Sequence, residues 1–332
     1  MKETNKISMY YSCYLRRENL YFCQIVMLRI YTISLLTALC LAGTNVQAQY
    51  AWDVGVNAGF SNYLGEIGGG AGEARDWVLD MKLDQTRWNP GVFARYRLDY
   101  NLGINMSLNY FRIQGADSLT PNPNRFTRNL HFRNDVFELA ACGEYYFLNQ
   151  PDVGSTGRYL LDFKSYIYLG LAAFYNNPKT QYQGEWVALQ PLKTEGQEKP
   201  YSRIQIAVPV GFGFFYTFSR LHRFGWSIGW RYTFSDYVDD LSGYYPDPKD
   251  LESDEAIALS NRSNEVAGHP LAADLVEYFV PGGVRGNPDA NDSYLLTSFN
   301  YSYVIRGNTK SFGKRKNYLY GRKRGRAGRA RF

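Results

Sequence analysis

Catalysis and metal binding need histidines, carboxylates or thiols within reach of one another, and this chain of 332 residues offers few such groupings. Its three histidines, His131, His222 and His269, are scattered and lack metal-ligand spacing. His131 could act as the base of a hydrolase built on a barrel face, but no nearby motif supplies its nucleophile or orienting partner. The carboxylates Asp236, Asp239, Asp240, Asp247, Asp250, Glu252, Asp254 and Glu255 carry enough charge for calcium. They lack the tight D-x-D-x-D-G loop spacing and read as a solvated acidic loop. "GEIGGGAGE" is rich in glycine, yet it has no phosphate-loop lysine and opens no helix, so it reads as a flexible loop. The expectation is a protein that is not an enzyme, with no cofactor and no metal.

One cation cluster stands out. From Arg306 to Phe332 there are eleven Lys or Arg and no acid. Lys310, Lys314, Arg315, Lys316, Arg322, Lys323, Arg324, Arg326, Arg329 and Arg331 are candidates for gripping an acidic partner. Interleaved Arg, Gly and aromatic residues also occur in RNA-binding tails, so the compartment decides.

The front of the chain addresses compartment. Arg29 precedes an apolar run, Ile33 to Ala42, too short to span a bilayer, and Val46-Gln47-Ala48 forms a V-x-A site. This is a secretory leader, with cleavage expected between Ala48 and Gln49 and a plausible start at Met27. Cys40 follows Leu39, so the leader is not of the lipoprotein type. The chain divides into 1–48 (extension plus leader), 49–305 (folded body) and 306–332 (basic disordered tail). Cys13, Cys23 and Cys40 fall in the leader, and only Cys142 remains, so no internal disulfide forms. Residues 49–305 carry 21 Lys or Arg against 29 Asp or Glu, an acidic body behind a basic tail. A secreted tail meets no nucleic acid, and its expected targets are acidic protein faces, anionic lipid or the cell-wall polymer.

Period-two alternation dominates the body. In "NLGINMSLNYF", Leu102, Ile104, Met106, Leu108 and Tyr110 share one face, and Gly103, Asn105, Ser107 and Asn109 the other. The pattern recurs near 50–62, 90–98, 134–148, 164–177, 202–218, 224–236 and 293–305. Each segment is long enough for a tilted membrane strand. Long connections (63–89, 117–133, 178–201, 237–292) alternate with short ones (99–101, 149–163, 219–223). This predicts an all-β fold: an eight-stranded antiparallel outer-membrane barrel with long extracellular loops, short periplasmic turns and both termini periplasmic. A soluble lipocalin-like barrel would turn its apolar face inward, where these aromatics would not fit. An eight-stranded lumen is filled by side chains, so Arg95, Arg97 and Arg231 are expected to neutralise Glu138 and Glu144 inside it rather than line an ion pathway.

Several stretches resemble the PorG-like outer-membrane proteins of the Bacteroidetes type IX secretion system. They are "VGVNAGFSNYLGEIGG", "RNLHFRND", "NPKTQYQGEWVALQPLKTEGQ" with "YSRIQIAVPVGFGFFYTF", "GWRYTFSDYVDDLSGYY" and "LSNRS". The resemblance covers most of 50–305 and leaves the basic tail outside it. It implies a barrel without enzymatic activity in the outer membrane, holding the periplasmic ring of the secretion machine, a lipoprotein and its partner protein. Such systems export proteins and in some species support gliding. The alternative is a structural or adhesive barrel with no secretion role.

Overall fold

The computed structural model describes residues 52–68, 83–151, 153, 161–272 and 275–305. The leader, its cleavage site at Ala48 and Gln49, and the basic tail lie outside them.

Eight long strands close a barrel. They are β1 (Trp52–Leu64), β2 (Arg87–Arg97), β3 (Leu102–Ala116), β4 (His131–Gln150), β5 (Asp162–Tyr175), β8 (Ile204–Phe218), β9 (His222–Thr233) and β10 (Ser293–Ile305). Each pairs antiparallel with the next, and β1 pairs with β10 over its whole length, from Trp52↔Ile305 to Leu64↔Ser293. Closure leaves no unpaired barrel edge, a requirement for strands in lipid. Two short strands, β6 (Pro178–Tyr182) and β7 (Glu185–Ala188), form a hairpin that continues β4 through Arg133↔Lys179.

The short connections, 98–101, 151–161 and 219–221, all leave and rejoin the strands at one end, here the turn end. The tightest places Ser219 and Arg220 at φ 51° and 60°, the left-handed pair that lets strands reverse without splaying. Both ends of the described barrel leave here. The long connections gather at the opposite, loop end. They contain the helices α1 (Pro123–Arg128) and α2 (Asp254–Ser260).

The alternation has the predicted sense. Along β4, Glu138, Ala140, Cys142, Glu144 and Tyr146 are buried, while Phe137, Leu139, Ala141, Tyr145 and Phe147 are exposed. Val56, Val92, Leu108, Leu171, Phe212 and Phe299 continue the exposed apolar belt around the barrel. A belt this continuous is a lipid-facing surface. Aromatic contacts rim it: Trp88–Tyr110 and Tyr110–Phe137 towards the loop end, Trp52–Tyr96 and Phe224–Tyr301 towards the turn end.

Above Tyr110 the sense inverts, which the period-two reading missed. Phe111 and Ile113 point in while Arg112 and Gln114 point out, and on β4 Phe132 and Val136 point in while Arg133 and Asp135 point out. Arg112 and Asp135 form an ion pair at 2.6 Å on the outer wall. The strands have left the apolar layer there, so water now favours charge outside and hydrocarbon within. Phe111, Ile113, Phe132, Val136, Phe174 and Tyr294 fill the lumen at that level.

Large aromatics also point inward lower down, where small polar residues were expected. Tyr166, Tyr168 and Phe215 fit because glycines face them. A β-carbon at Gly211 would stand 2.6 Å from the Tyr168 ring, and one at Gly213 2.7 Å from the Tyr166 hydroxyl.

Candidate functional site

The lumen is a stack of polar layers. Towards the turn end, the Arg95 Nε lies 2.7 Å from Glu144, and its Nη1 3.3 Å from Asp53. Asp53 also holds the Arg223 guanidinium at 2.5 Å and accepts from the Ser302 hydroxyl. Glu144 accepts from Asn105 and from the Tyr146 hydroxyl. Arg95 lies over the rings of Phe93, Tyr166 and Phe215, so the ion pairs rest on an aromatic floor. Midway, the Arg231 Nε is 3.5 Å from Glu138, which accepts from Asn109 and the Tyr294 hydroxyl.

Arg97 departs from expectation. It was expected to neutralise Glu138 or Glu144, yet it makes no ion pair among the described residues, and its Nε is buried without a hydrogen bond. Arg97 shares the inward face with Arg95, two residues nearer the turn end, and the Glu144 carboxylate is already taken by Arg95, Asn105 and Tyr146. Asp53, Arg223 and Lys164 are the charged lumen residues that sequence reasoning did not pair. Their alternation was visible, but their partners depend on register.

Between the two layers lies a cavity of about 60 Å³, lined among others by Asn57, Asn105, Cys142, Tyr168 and Ser298. It has room for a few waters and not for a solute path. Cys142 is a buried free thiol on this wall.

At the loop end the resemblance-bearing stretches converge. Glu195, from "LQPLKTEGQ", pairs with Arg285 at 2.7 Å and accepts from the backbone N–H groups of Ser242 and Gly243. The Thr194 hydroxyl donates to Asp240 at 2.5 Å, and Tyr201 donates to the same carboxylate at 2.8 Å. Arg128, from "RNLHFRND", pairs with Asp117 at 2.8 Å and donates to the Glu66 and Arg285 carbonyls. Asp236, Asp239 and Asp240 are therefore buried in a cap over the barrel, not solvated as expected, while Asp247, Asp250 and Glu252 stay at the surface. Burial pushes the Asp236 carboxyl up to about 8 and Asp240 to about 6. Burial first, then mutual repulsion with neighbouring carboxylates, holds Asp239 and Asp292 well above the usual carboxylate range. The described residues contain no cluster of three or more His, Cys, Asp or Glu with metal-holding geometry.

The histidines stay apart. The His131 ring accepts from the Gln181 N–H and contacts Arg262, His222 bonds the Tyr301 hydroxyl, and His269 packs on Phe126. No hydrogen bond joins any of these rings to a described serine or carboxylate.

A closed antiparallel eight-stranded barrel with an apolar exterior and a filled polar lumen defines a small membrane β-barrel. The chain belongs to the family described as Domain of unknown function (DUF6089), whose model matches residues 30–264. No curated protein matches the chain. Among solved structures it is similar to Neisserial surface protein A at 11% identity and TM-score 0.37, covering 76% of this chain and 97% of that one. It is also similar to the outer-membrane protein OprG of Pseudomonas aeruginosa at 10% identity and TM-score 0.32, covering 79% and 100%. A third is the N-terminal β-barrel domain of Pseudomonas aeruginosa OprF at 8% identity and TM-score 0.32, covering 76% and 97%.

Proposed function

We propose that the protein is a non-enzymatic outer-membrane barrel, with both termini periplasmic, that anchors or organises the periplasmic ring of a type IX secretion machine. The observation that supports this most is the convergence of the resemblance-bearing stretches. Glu195, Arg285, Asp240, Arg128 and Asp117 build one buried ionic cap, so those stretches serve a rigid scaffold and not a reaction. A filled lumen favours holding over conducting. With Trp52 paired to Ile305 at the turn end, the eleven-cation tail would start from that same face, suited to an acidic periplasmic partner or to anionic lipid.

A mild-detergent pull-down from the native membrane tests the reading. Periplasmic ring components should co-elute, and deletion of the protein should reduce secretion and, where present, gliding. Recovery of the barrel alone from a strain that secretes normally without it would reject the role. A second reading, a structural or adhesive barrel, is favoured by apolar groups on the cap surface: Tyr278 and Val284 are 72% and 70% exposed. Binding to surfaces that disappears on trimming 271–284, with secretion intact, would select it.

A further inference from the structure

Among the described residues, the turn-end mouth of the lumen holds more cations than ion pairs. Arg95 pairs with Asp53 and Glu144 and Arg223 with Asp53, while Arg97 and Lys164 form no ion pair with a described carboxylate. Lys164 is 5% exposed and forms no ion pair with a described carboxylate. Its ammonium instead lies 5.2 Å from the Tyr146 ring centroid and 5.4 Å from that of Tyr100. Arg97 and Arg223 both repel it. Asp162, two residues towards the rim, attracts it and has a contact of its own. Arg223, also 5% exposed, spends one nitrogen on Asp53, while its Nε is buried without a partner, as is the Nε of Arg97.

Buried cations without an ionic partner are costly, and a bound counter-anion relieves that cost. Two guanidinium forks and one ammonium, all with idle donors, suit a compact anion with several acceptor oxygens and more than one negative charge. Tyr146, Tyr166 and Phe215, packed under Arg95, close the lumen behind the cluster, so the ligand enters from the turn end only. We infer that this mouth, built by Arg97, Lys164 and Arg223, is a binding site for a phosphate-class anion. The anion is either the phosphate ester of a lipid headgroup or free phosphate.

The test uses the full-length barrel in a non-ionic sugar-based detergent lacking phosphate, with inorganic phosphate as the titrant in calorimetry. Wild type should bind phosphate saturably, and Lys164→Gln should weaken binding about tenfold or more, the scale of one charge-assisted contact. Arg97→Gln should act in the same direction. Heat-modifiable gel migration first verifies that each variant is folded. Should Lys164→Gln not fold, Arg97→Gln, at a partly exposed position without an ion pair, decides the matter. Native mass spectrometry of barrel extracted from its own membrane separates the sources. A phosphate-ester lipid retained by wild type and lost from the variant identifies the headgroup, whereas phosphate binding without retained lipid identifies the free ion. Equal phosphate binding by wild type and folded variants, equal binding of acetate, or no binding of either phosphate source overturns the inference.

Discussion

The Tyr63 hydroxyl, at the loop end of β1, lies 2.5 Å from the Asp239 carboxylate, a residue 176 positions further along the chain. The same hydroxyl lies 2.6 Å from Asp292. A phenol has one proton to donate, so it cannot satisfy two ionised carboxylates at once. One of the two acids must keep its own proton, which agrees with the raised values of both. The contact ties the first strand to both ends of the long loop 237–292. The cap is thus held to the barrel by shared protons as well as by the Arg285 and Arg128 ion pairs.

The cap should therefore tighten in acid. A carboxyl whose folded value is raised keeps its proton where the unfolded chain has lost it. The extra stability is complete below about pH 4, the ordinary aspartate value. It is lost as pH rises through the folded value, about 8 for Asp236. Each additional proton held by the folded cap contributes about 1.4 kcal/mol per pH unit in that window. Limited proteolysis of the loops should be several-fold slower at pH 5.5 than at pH 8.5. Asp239→Asn, which mimics the protonated acid, should flatten the difference. Equal cleavage at both values would remove the proton-sharing interpretation.

The lumen ion pairs should behave as a unit. Glu144→Leu alone leaves Arg95 with Asp53, which Arg223 already occupies, and strands the Tyr146 and Asn105 donors. Breaking a buried pair from one side costs roughly 3–5 kcal/mol. Arg95→Met with Glu144→Leu should recover much of that, because no charge is left without its partner. Urea midpoints of the folded-to-unfolded gel shift, compared among the two single variants and the double variant, check the non-additivity.

Most of the barrel was legible because alternation is a local property. A run such as Leu102 to Tyr110 shows its lipid face without reference to any other strand. The parts that were not legible depend on where a strand sits along the barrel axis. Arg112 and Asp135 look misplaced in an apolar-outward pattern until it is known that they lie above the apolar layer. Arg97 looks equivalent to Arg95 in the sequence, and only the structure shows Glu144 already taken by Arg95, Asn105 and Tyr146. The cap was the least legible part. Glu195 and Arg285 are 90 residues apart, and nothing local marks them as partners. The acidic residues Asp236, Asp239 and Asp240 resemble a surface run because the basic and phenolic groups that bury them come from elsewhere in the chain.

The two faces of β3 should respond differently to the same substitution. Leu108 is 51% exposed in the middle of the apolar belt, and Leu108→Arg should cost about 2–4 kcal/mol if it lies near the bilayer midplane. Asn109 is buried, accepts from Asn57 and donates to Glu138. Asn109→Arg faces a packing limit and should shift assembly yield more than lipid partitioning. Folding yields into vesicles of thin and thick lipid separate the cases, since only the Leu108 variant should depend on bilayer thickness.

The tail from Arg306 to Phe332 lies outside the described residues, and its chemistry still makes a definite prediction. Its eleven cations without an acid suit an acidic partner. Its grip should fall with salt, because exposed charges are screened over about 8 Å at physiological ionic strength. Neutralising Lys314, Arg315, Lys316, Arg322, Lys323 and Arg324 together should reduce recovery of periplasmic partners while barrel assembly stays normal. Phe332 is kept in that variant, since a terminal aromatic can itself serve barrel assembly, and heat-modifiable migration is measured first. Full partner recovery and normal secretion from the neutralised protein would make the tail a passive extension. The anchoring surface would then have to lie in the turns at 98–101, 151–161 and 219–221, beside the cationic mouth formed by Arg97, Lys164 and Arg223.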